Sequence, residues 1–314
     1  MNALFGKSSL KIKKMKGVKI MKNEDISQIK YSQNFLRNPR LVEELVGKSS
    51  IASNDLVYEI GPGKGIITEQ LAKKCAKVIA IEKDRKLYEK LKEKFSGNQK
   101  VEIKHGDFLN WHLPRQGEYK IFSNIPFNLT ADIVTKITAT LNPPKDAYLI
   151  IQKEAAKKFA GLPYGKERQY SLLLKPWFEF KILYHFKNTD FYPIPQVSVV
   201  LLQIKKREEP LVEKEQARLY RDFIVYGFNQ WKPTLEKSLK KIFTHEQFKR
   251  LSKNLGFERT AQPTDLTFEQ WLGLFKYFLT GVEEKKKELI YGAEATLKQQ
   301  QARLQKIHRT RFKK

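Results

Sequence analysis

Along the first two-thirds of the chain, apolar positions fall in short runs of four or five, and most runs are followed by a stretch with helical spacing. The clearest case is Leu56, Val57, Tyr58 and Ile60, a strand pattern. It ends in three glycines at alternate positions, Gly61, Gly63 and Gly65, and an amphipathic helix follows with Ile66, Ile67, Leu71 and Ala72. The same rhythm predicts strands over 77–81, 101–104, 119–122, 147–151, 180–186 and 197–204. Helices are predicted after Pro39 (Leu41, Val42, Leu45, Val46), over 85–95 and over 154–160. Strands that alternate with helices predict an α/β domain of doubly wound, Rossmann-like type.

Near residues 205–210 (KKREEP) the pattern changes. From there to about Thr280 the apolar residues, such as Leu219, Tyr220, Phe223, Ile224 and Phe228, recur only at helical spacing. The expected organisation is a basic arm over 1–22, an α/β domain over 23–205, a smaller all-α domain over 206–280 and a basic tail over 281–314. No internal repeat is found.

Charge narrows the partners. The 314 residues carry 60 Lys+Arg against 34 Asp+Glu, a net charge of +26, and such a surface attracts polyanions by releasing their condensed counterions. Nucleic acid is the leading partner. Residues 1–22 hold seven lysines and no acid, and residues 281–314 hold ten Lys/Arg against four Glu. A single cysteine, Cys75, excludes an internal disulfide and a multi-cysteine zinc site, and no metal is expected. No run approaches the roughly 20 apolar residues of a membrane span, and the expected location is the cytoplasm.

The glycine turn is the first chemical motif. Glycine allows positive φ and leaves no Cβ, so the backbone can lie flat against a small cofactor beside a helix N-terminus. The spacing GPGKG fits neither the dinucleotide fingerprint nor a phosphate loop. With Glu59 before it, the turn resembles the motif of S-adenosylmethionine (SAM) methyltransferases. Glu82 stands 21 residues after Gly61 at the end of a strand, where a carboxylate can accept both ribose hydroxyls of an adenosine. Asp107, one step past the next strand, can accept from an adenine amino group, and Phe108 can add a backbone amide or cover the ring.

The second motif is Asn124-Ile125-Pro126-Phe127. An exocyclic adenine amine is a poor nucleophile because its lone pair is delocalised into the ring. The Asn124 side-chain oxygen and the Ile125 carbonyl can accept its two hydrogens and aim the lone pair. Pro126 sets the turn, and Phe127 offers a ring to a flipped-out base. Asp190-Phe191-Tyr192-Pro193-Ile194-Pro195 reads as a rigid loop whose aromatic residues supply a second face. Taken alone, Ser32-Gln33-Asn34-Phe35-Leu36 reads as an amide-rich turn before a helix.

Together, SQNFL, EIGPGKG, Glu82, GDF, NIPF and FYPIPQV resemble the rRNA adenine N6-methyltransferases, most closely the erythromycin-resistance (Erm) type, over about residues 24–280. The resemblance implies that Gln33 and Asn34, with Leu36 beside them, touch the methionine end of SAM. Gly61, Gly63 and Gly65 line the cofactor with Glu59 and Phe108, Glu82 binds its ribose, and Asp107 reads its adenine. Asn124 and Ile125 would hold the target amine, while Phe127 and Phe191 hold the base. The implied activity is SAM-dependent N6-dimethylation of an adenine in protein-free or nascent 23S rRNA, by a monomer. It would give macrolide, lincosamide and streptogramin B resistance.

Two other readings stand beside it. Small-subunit (16S) dimethyltransferases of the kasugamycin type usually carry N-L-P-Y and an acid after the valine of F-x-P-x-P-x-V. This chain has Ile125, Phe127 and Ser198. A SAM-binding RNA-binding or transcription factor without catalysis would have no use for an amine-orienting turn.

Overall fold

The computed structural model describes residues 34–311; the basic arm and Gln33 lie outside the described residues. Its strands and helices run β1 (Phe35–Leu36), α1 (Pro39–Gly47), β2 (Leu56–Ile60), α2 (Ile66–Lys74), β3 (Lys77–Glu82), α3 (Arg85–Lys94) and β4 (Val101–His105). There follow β5 (Lys120–Asn124), α4 (Thr130–Ala139), β6 (Asp146–Gln152), α5 (Lys153–Ala160), α6 (Gln169–Leu174), β7 (Phe178–His185), β8 (Phe191–Tyr192) and β9 (Val199–Lys206). Seven strands form one sheet in the order β4-β3-β2-β5-β6-β9-β7. The first five are parallel, and β9 and β7 complete it as antiparallel neighbours.

Local signals account for the helix starts. Asn38 accepts from the Arg40 and Leu41 amides ahead of Pro39, and Asp84 accepts from the Leu87 amide at the start of α3. The central strands are buried on both faces. Along β6, Tyr148 and Ile150 pack with Leu45, Leu71 and Phe122 on one side. Ala147, Leu149 and Ile151 pack with Ile133, Val134 and Phe159 on the other.

Two boundaries differ from the sequence reading in ways that matter. The strand expected over 119–122, here β5, was to end at Phe122, but Ser123 and Asn124 remain in the ladder, with Asn124 opposite Ile150. Their side chains are polar, yet a parallel ladder is held by backbone groups, and Ser123 Oγ accepts from the Ile60 amide at 2.7 Å. Phe191 and Tyr192, expected in a loop, form β8 and pair antiparallel with β1 (Phe35 opposite Tyr192, Leu36 opposite Phe191).

The rest of the described chain is helical: α7 (Ala217–Phe228), α8 (Leu235–Leu239), α9 (His245–Leu255), α10 (Phe268–Gly281), α11 (Glu284–Lys287) and α12 (Ala293–Arg311). Tyr220, Phe223, Leu235, Phe248, Trp271, Phe275 and Phe278 form its core. Leu172 and Leu173 of α6 join that core, so the helical part is continuous with the sheet layer.

The root of α12 is docked against α7. The buried Asp222 carboxylate accepts from the Gly292 and Glu294 amides, both at 2.9 Å. Arg221 donates to both Glu294 oxygens at 2.8 and 2.6 Å, and this pairing, despite partial burial, holds the Glu294 carboxyl down to about 2. Asp222→Ala leaves two amides without an acceptor, so it is expected to cost about 2–3 kcal/mol of stability. It should also open residues 282–292 to limited proteolysis. Unchanged cleavage in this variant would mean that other contacts hold the tail.

Candidate active site

The order of winding reverses between β2 and β5, because β3 and β4 lie to one side of β2 and β5 to the other. A parallel sheet opens a crevice at the carboxyl ends of its strands at such a point. The glycine turn leaves β2 there, and Asn124 to Phe127 leave β5 there. The Ile60–Ser123 hydrogen bond ties the two strand ends together.

The backbone of the turn is left-handed at Gly61, Gly63 and Gly65 (φ 62°, 60° and 78°). At Gly63 a Cβ would stand 2.6 Å from Phe35 Cε1, and at Gly65 one would stand 2.8 Å from Phe95 Cε2. Any other residue would bring both the strain of positive φ and a collision with an aromatic ring. The pocket beside the turn is walled by Asn34, Phe35, Leu36, Glu59, Gly61, Pro62, Gly63, Lys64, Ile66, Ile67, Asn124, Ile125 and Pro126. Three separate motifs of the sequence thus meet in one cavity.

Pairing of β1 with β8 carries Asn34 to the cavity, where its carbonyl accepts from Asn124 Nδ2 at 2.6 Å. A carboxamide held by its nitrogen presents its oxygen as an acceptor. This bond is the geometric link between SQNFL and NIPF.

The acids differ in their surroundings. Glu59 is 1% exposed and accepts from Thr68 Oγ1 at 2.6 Å. Burial, reinforced by the neighbouring Glu82 charge and opposed by Thr68, pushes its carboxyl up to about 8. Glu82 is also buried and raised by that burial; its two oxygens accept from the Asp84 amide (2.8 Å) and the Gly63 amide (3.2 Å), clipping the glycine turn to the end of β3. Partial burial raises Asp107. The Lys83 ammonium at 2.8 Å and the Leu109 amide at 2.9 Å more than offset this, so its carboxyl sits below the ordinary aspartate value.

Glu59 has a consequence for pH. Between its unfolded value of 4.5 and about 8, the folded chain keeps a proton that the unfolded chain has lost, so stability falls as pH rises through that window. Glu59→Gln removes this contribution. Relative to the parent, its unfolding free energy in urea is expected to gain roughly 3 kcal/mol between pH 5 and pH 8. A constant difference across that range would show that Glu59 is ionised in the fold.

Asn34, Leu36, Glu59, Gly61, Gly63, Asn124, Ile125 and Pro126 of the expected site line the cavity. Gly65, Glu82, Asp107 and Phe108 are not among its walls: Gly65 and Glu82 shape the glycine turn, Asp107 follows the end of β4, and Phe108 is buried with Lys136 Nζ 5.6 Å from its ring centroid. Phe127 is half-buried at the edge of the core. Phe191 lies opposite Leu36 but is not among the cavity walls. It is 0% exposed and packs 5.2 Å from Phe186, because the β1–β8 register turns it inward and leaves Tyr192 outside at 63% exposure. The expected second face for a base is therefore not offered by Phe191, and Tyr192, 5.7 Å from the Arg37 guanidinium, is the exposed ring of that strand. Sequence reasoning missed Thr68, Ser123 and the Asn34 carbonyl; hydroxyl and backbone partners leave no spacing signal.

The sequence pattern of the family described as ribosomal RNA adenine dimethylase covers residues 25–280. The chain belongs to that family. Among rRNA adenine N6-methyltransferases, it is 31% identical over 248 residues to the enzyme of Bacillus licheniformis, covering 77% of this chain and 84% of that one. It is 32% identical over 254 residues to that of Lysinibacillus sphaericus, covering 80% and 96%. The structure resembles that of the 23S rRNA methyltransferase ErmE, with TM-score 0.73, 26% identity, and coverage of 79% of this chain and 100% of that one. A dimethyladenosine transferase from Plasmodium falciparum shares the fold, with TM-score 0.63 at 19% identity over 79% and 98% of the two chains. The family's pattern ends at residue 280, before α11 and α12.

Proposed function

We propose that this rRNA adenine dimethylase methylates N6 of one adenine in 23S rRNA with SAM as donor, adding up to two methyl groups and conferring macrolide, lincosamide and streptogramin B resistance. The observation that carries this is the Asn34–Asn124 hydrogen bond, which engages the nitrogen of a cavity-wall carboxamide and leaves its oxygen as the acceptor beside the glycine turn. The residues fit the donor. At Gly61, a cavity residue, nothing stands within 4 Å of where a Cβ would project, and the cavity carries the buried acid Glu59 and the carboxamides Asn34 and Asn124 in place of a phosphate-binding loop. Asn34, Leu36 and the glycines would hold its amino-acid end, Glu82 the ribose and Asp107 the base. When bound, it supplies a methyl group made electrophilic by a sulfonium.

The chain's own residues act on the adenine. The Asn124 oxygen and the Ile125 carbonyl accept the two N6 hydrogens, draw the nitrogen toward tetrahedral geometry and direct its lone pair into the cavity. Pro126, at φ −59° and ψ 126°, holds that turn, and Phe127 at its end is placed to stack on the base. Positioning of this kind can supply about 7–11 kcal/mol in favourable cases. The likeness to ErmE and the residues Ile125, Phe127 and Ser198 support the large-subunit substrate over the kasugamycin-type one. Primer extension on 23S and 16S rRNA after incubation with protein and SAM tests this. A stop at the macrolide-site adenine of 23S is expected, a stop only near the 3′ end of 16S moves the substrate to the small subunit, and no stop on either refutes dimethylation; failure to transfer labelled methyl from SAM to either RNA refutes the activity altogether.

A further inference from the structure

The turn between α7 and α8, Asn229 to Thr234, carries two features that the fold does not use. Trp231 is 93% exposed, and its φ of 53° makes it the sole non-glycine residue with positive φ among those described. A bulky side chain in the left-handed region costs about 1 kcal/mol or more, and an exposed indole adds no burial in return.

The turn is rigid. Asn229 Nδ2 donates to Gln169 Oε1 of α6 at 2.8 Å and to the Val225 carbonyl at 2.7 Å. At the other end the Leu235 amide donates to the Ala261 carbonyl at 2.9 Å, and the Leu235 side chain is buried. Trp231 thus projects from a turn whose first residue is tied to the helix that joins the two cores. The segment that carries it is rich in exposed cations: Lys232 next to it in the turn, then Lys237 in α8 and Lys240 and Lys241 just after that helix. An exposed aromatic ring on a lysine-rich segment suits unpaired nucleotides, with stacking that tolerates any base and ammonium groups that meet phosphates.

We propose that Trp231 is a stacking platform for an unpaired base of the RNA substrate, outside the catalytic cavity, with these lysines on the flanking phosphates. The inference rests on the proposed RNA substrate and names a second anchoring point for it.

The test uses the full chain as wild type, Trp231→Gly and Trp231→Phe, an rRNA fragment with an unpaired loop, and a duplex of equal length. Trp231→Gly is expected to keep or raise the melting temperature, because glycine relieves the left-handed strain, and to leave SAM affinity unchanged. Its affinity for the looped RNA should fall about tenfold, appearing as a higher KM with little change in kcat, while the duplex is affected far less. Trp231→Phe should retain most of the affinity. Looped RNA should quench the tryptophan emission of the wild type and quench it much less in Trp231→Phe, since Trp271 is buried and Trp111 and Trp177 are partly so.

Equal RNA affinity of wild type and Trp231→Gly overturns the proposal, as does equal weakening on loop and duplex. Loss of self-association in place of RNA binding would assign the indole to a protein contact and overturn it too. If the wild type methylates rRNA and Trp231→Gly matches it, the stacking platform alone fails. If the wild type methylates no rRNA, the reading on which it rests fails first.

Discussion

Asn124→Ala is expected to lower methyl transfer by at least about 100-fold while SAM binds within twofold of the parent. The side chain has two ends with separate work. Its nitrogen is engaged by the Asn34 carbonyl at 2.6 Å, which fixes the rotamer, and its oxygen is the acceptor offered to the adenine amine. Removing both ends leaves the glycine turn in place and the β1–β8 pairing to hold the Asn34 segment at the cavity, so the loss falls on alignment of the nucleophile, where a displacement of about 1 Å can cost 100-fold. Asn124→Asp separates the functions: the carboxylate still accepts from the amine but faces the Asn34 carbonyl with an oxygen. It should fall between the parent and Asn124→Ala. Calorimetry of SAM binding and single-turnover methylation of an rRNA fragment measure the two quantities; parallel loss of both in Asn124→Ala would move the residue from the amine to the cofactor.

Glu82→Ala is expected to weaken SAM binding by about 10- to 100-fold, the range for losing hydrogen bonds to a charged group. The carboxylate is expected to accept from the ribose, and it already accepts from the Gly63 amide, so its removal acts twice. The glycine turn loses the clip that ties it to the end of β3, and the Asp84 amide loses its 2.8 Å acceptor. Glu82→Gln distinguishes the two effects, since an amide oxygen can still clip the turn. If Glu82→Ala lowers the melting temperature but leaves SAM affinity unchanged, the acid is a structural clip and the ribose is held elsewhere.

Much of the architecture was legible because its causes are local. The run from Leu56 to Ile60, the glycines at alternate positions and the helical spacing from Ile66 are short-range patterns, and each formed where expected. The change of period after residue 206 likewise marks where helices replace strands, because a face buried in a helical bundle repeats every three or four residues. The NIPF turn was legible from chemistry: an amide, a proline and an aromatic in that order suit a planar amine.

Other features depend on partners distant in the chain. Nothing near Asn34 announces that its carbonyl will hold a side chain 90 positions away, since a backbone group has no residue-type signature. The burial of Phe191 and the exposure of Tyr192 follow from a two-residue ladder with Phe35 and Leu36; a shift by one residue would exchange them, and pattern alone does not specify register in so short a strand. The raised carboxyl of Glu59 needs the closed sheet and helix around it, because desolvation is a property of the assembled core. The docking of α12 is of the same kind: residues 281–314 read as a charged tail until Asp222 and Arg221 are brought beside Gly292 and Glu294. Sequence thus determined the class of fold, the order of the motifs and the chemistry they are suited to. Tertiary structure decided which groups meet, which rings face solvent and which acids keep their protons, because contact and desolvation arise only when distant segments pack.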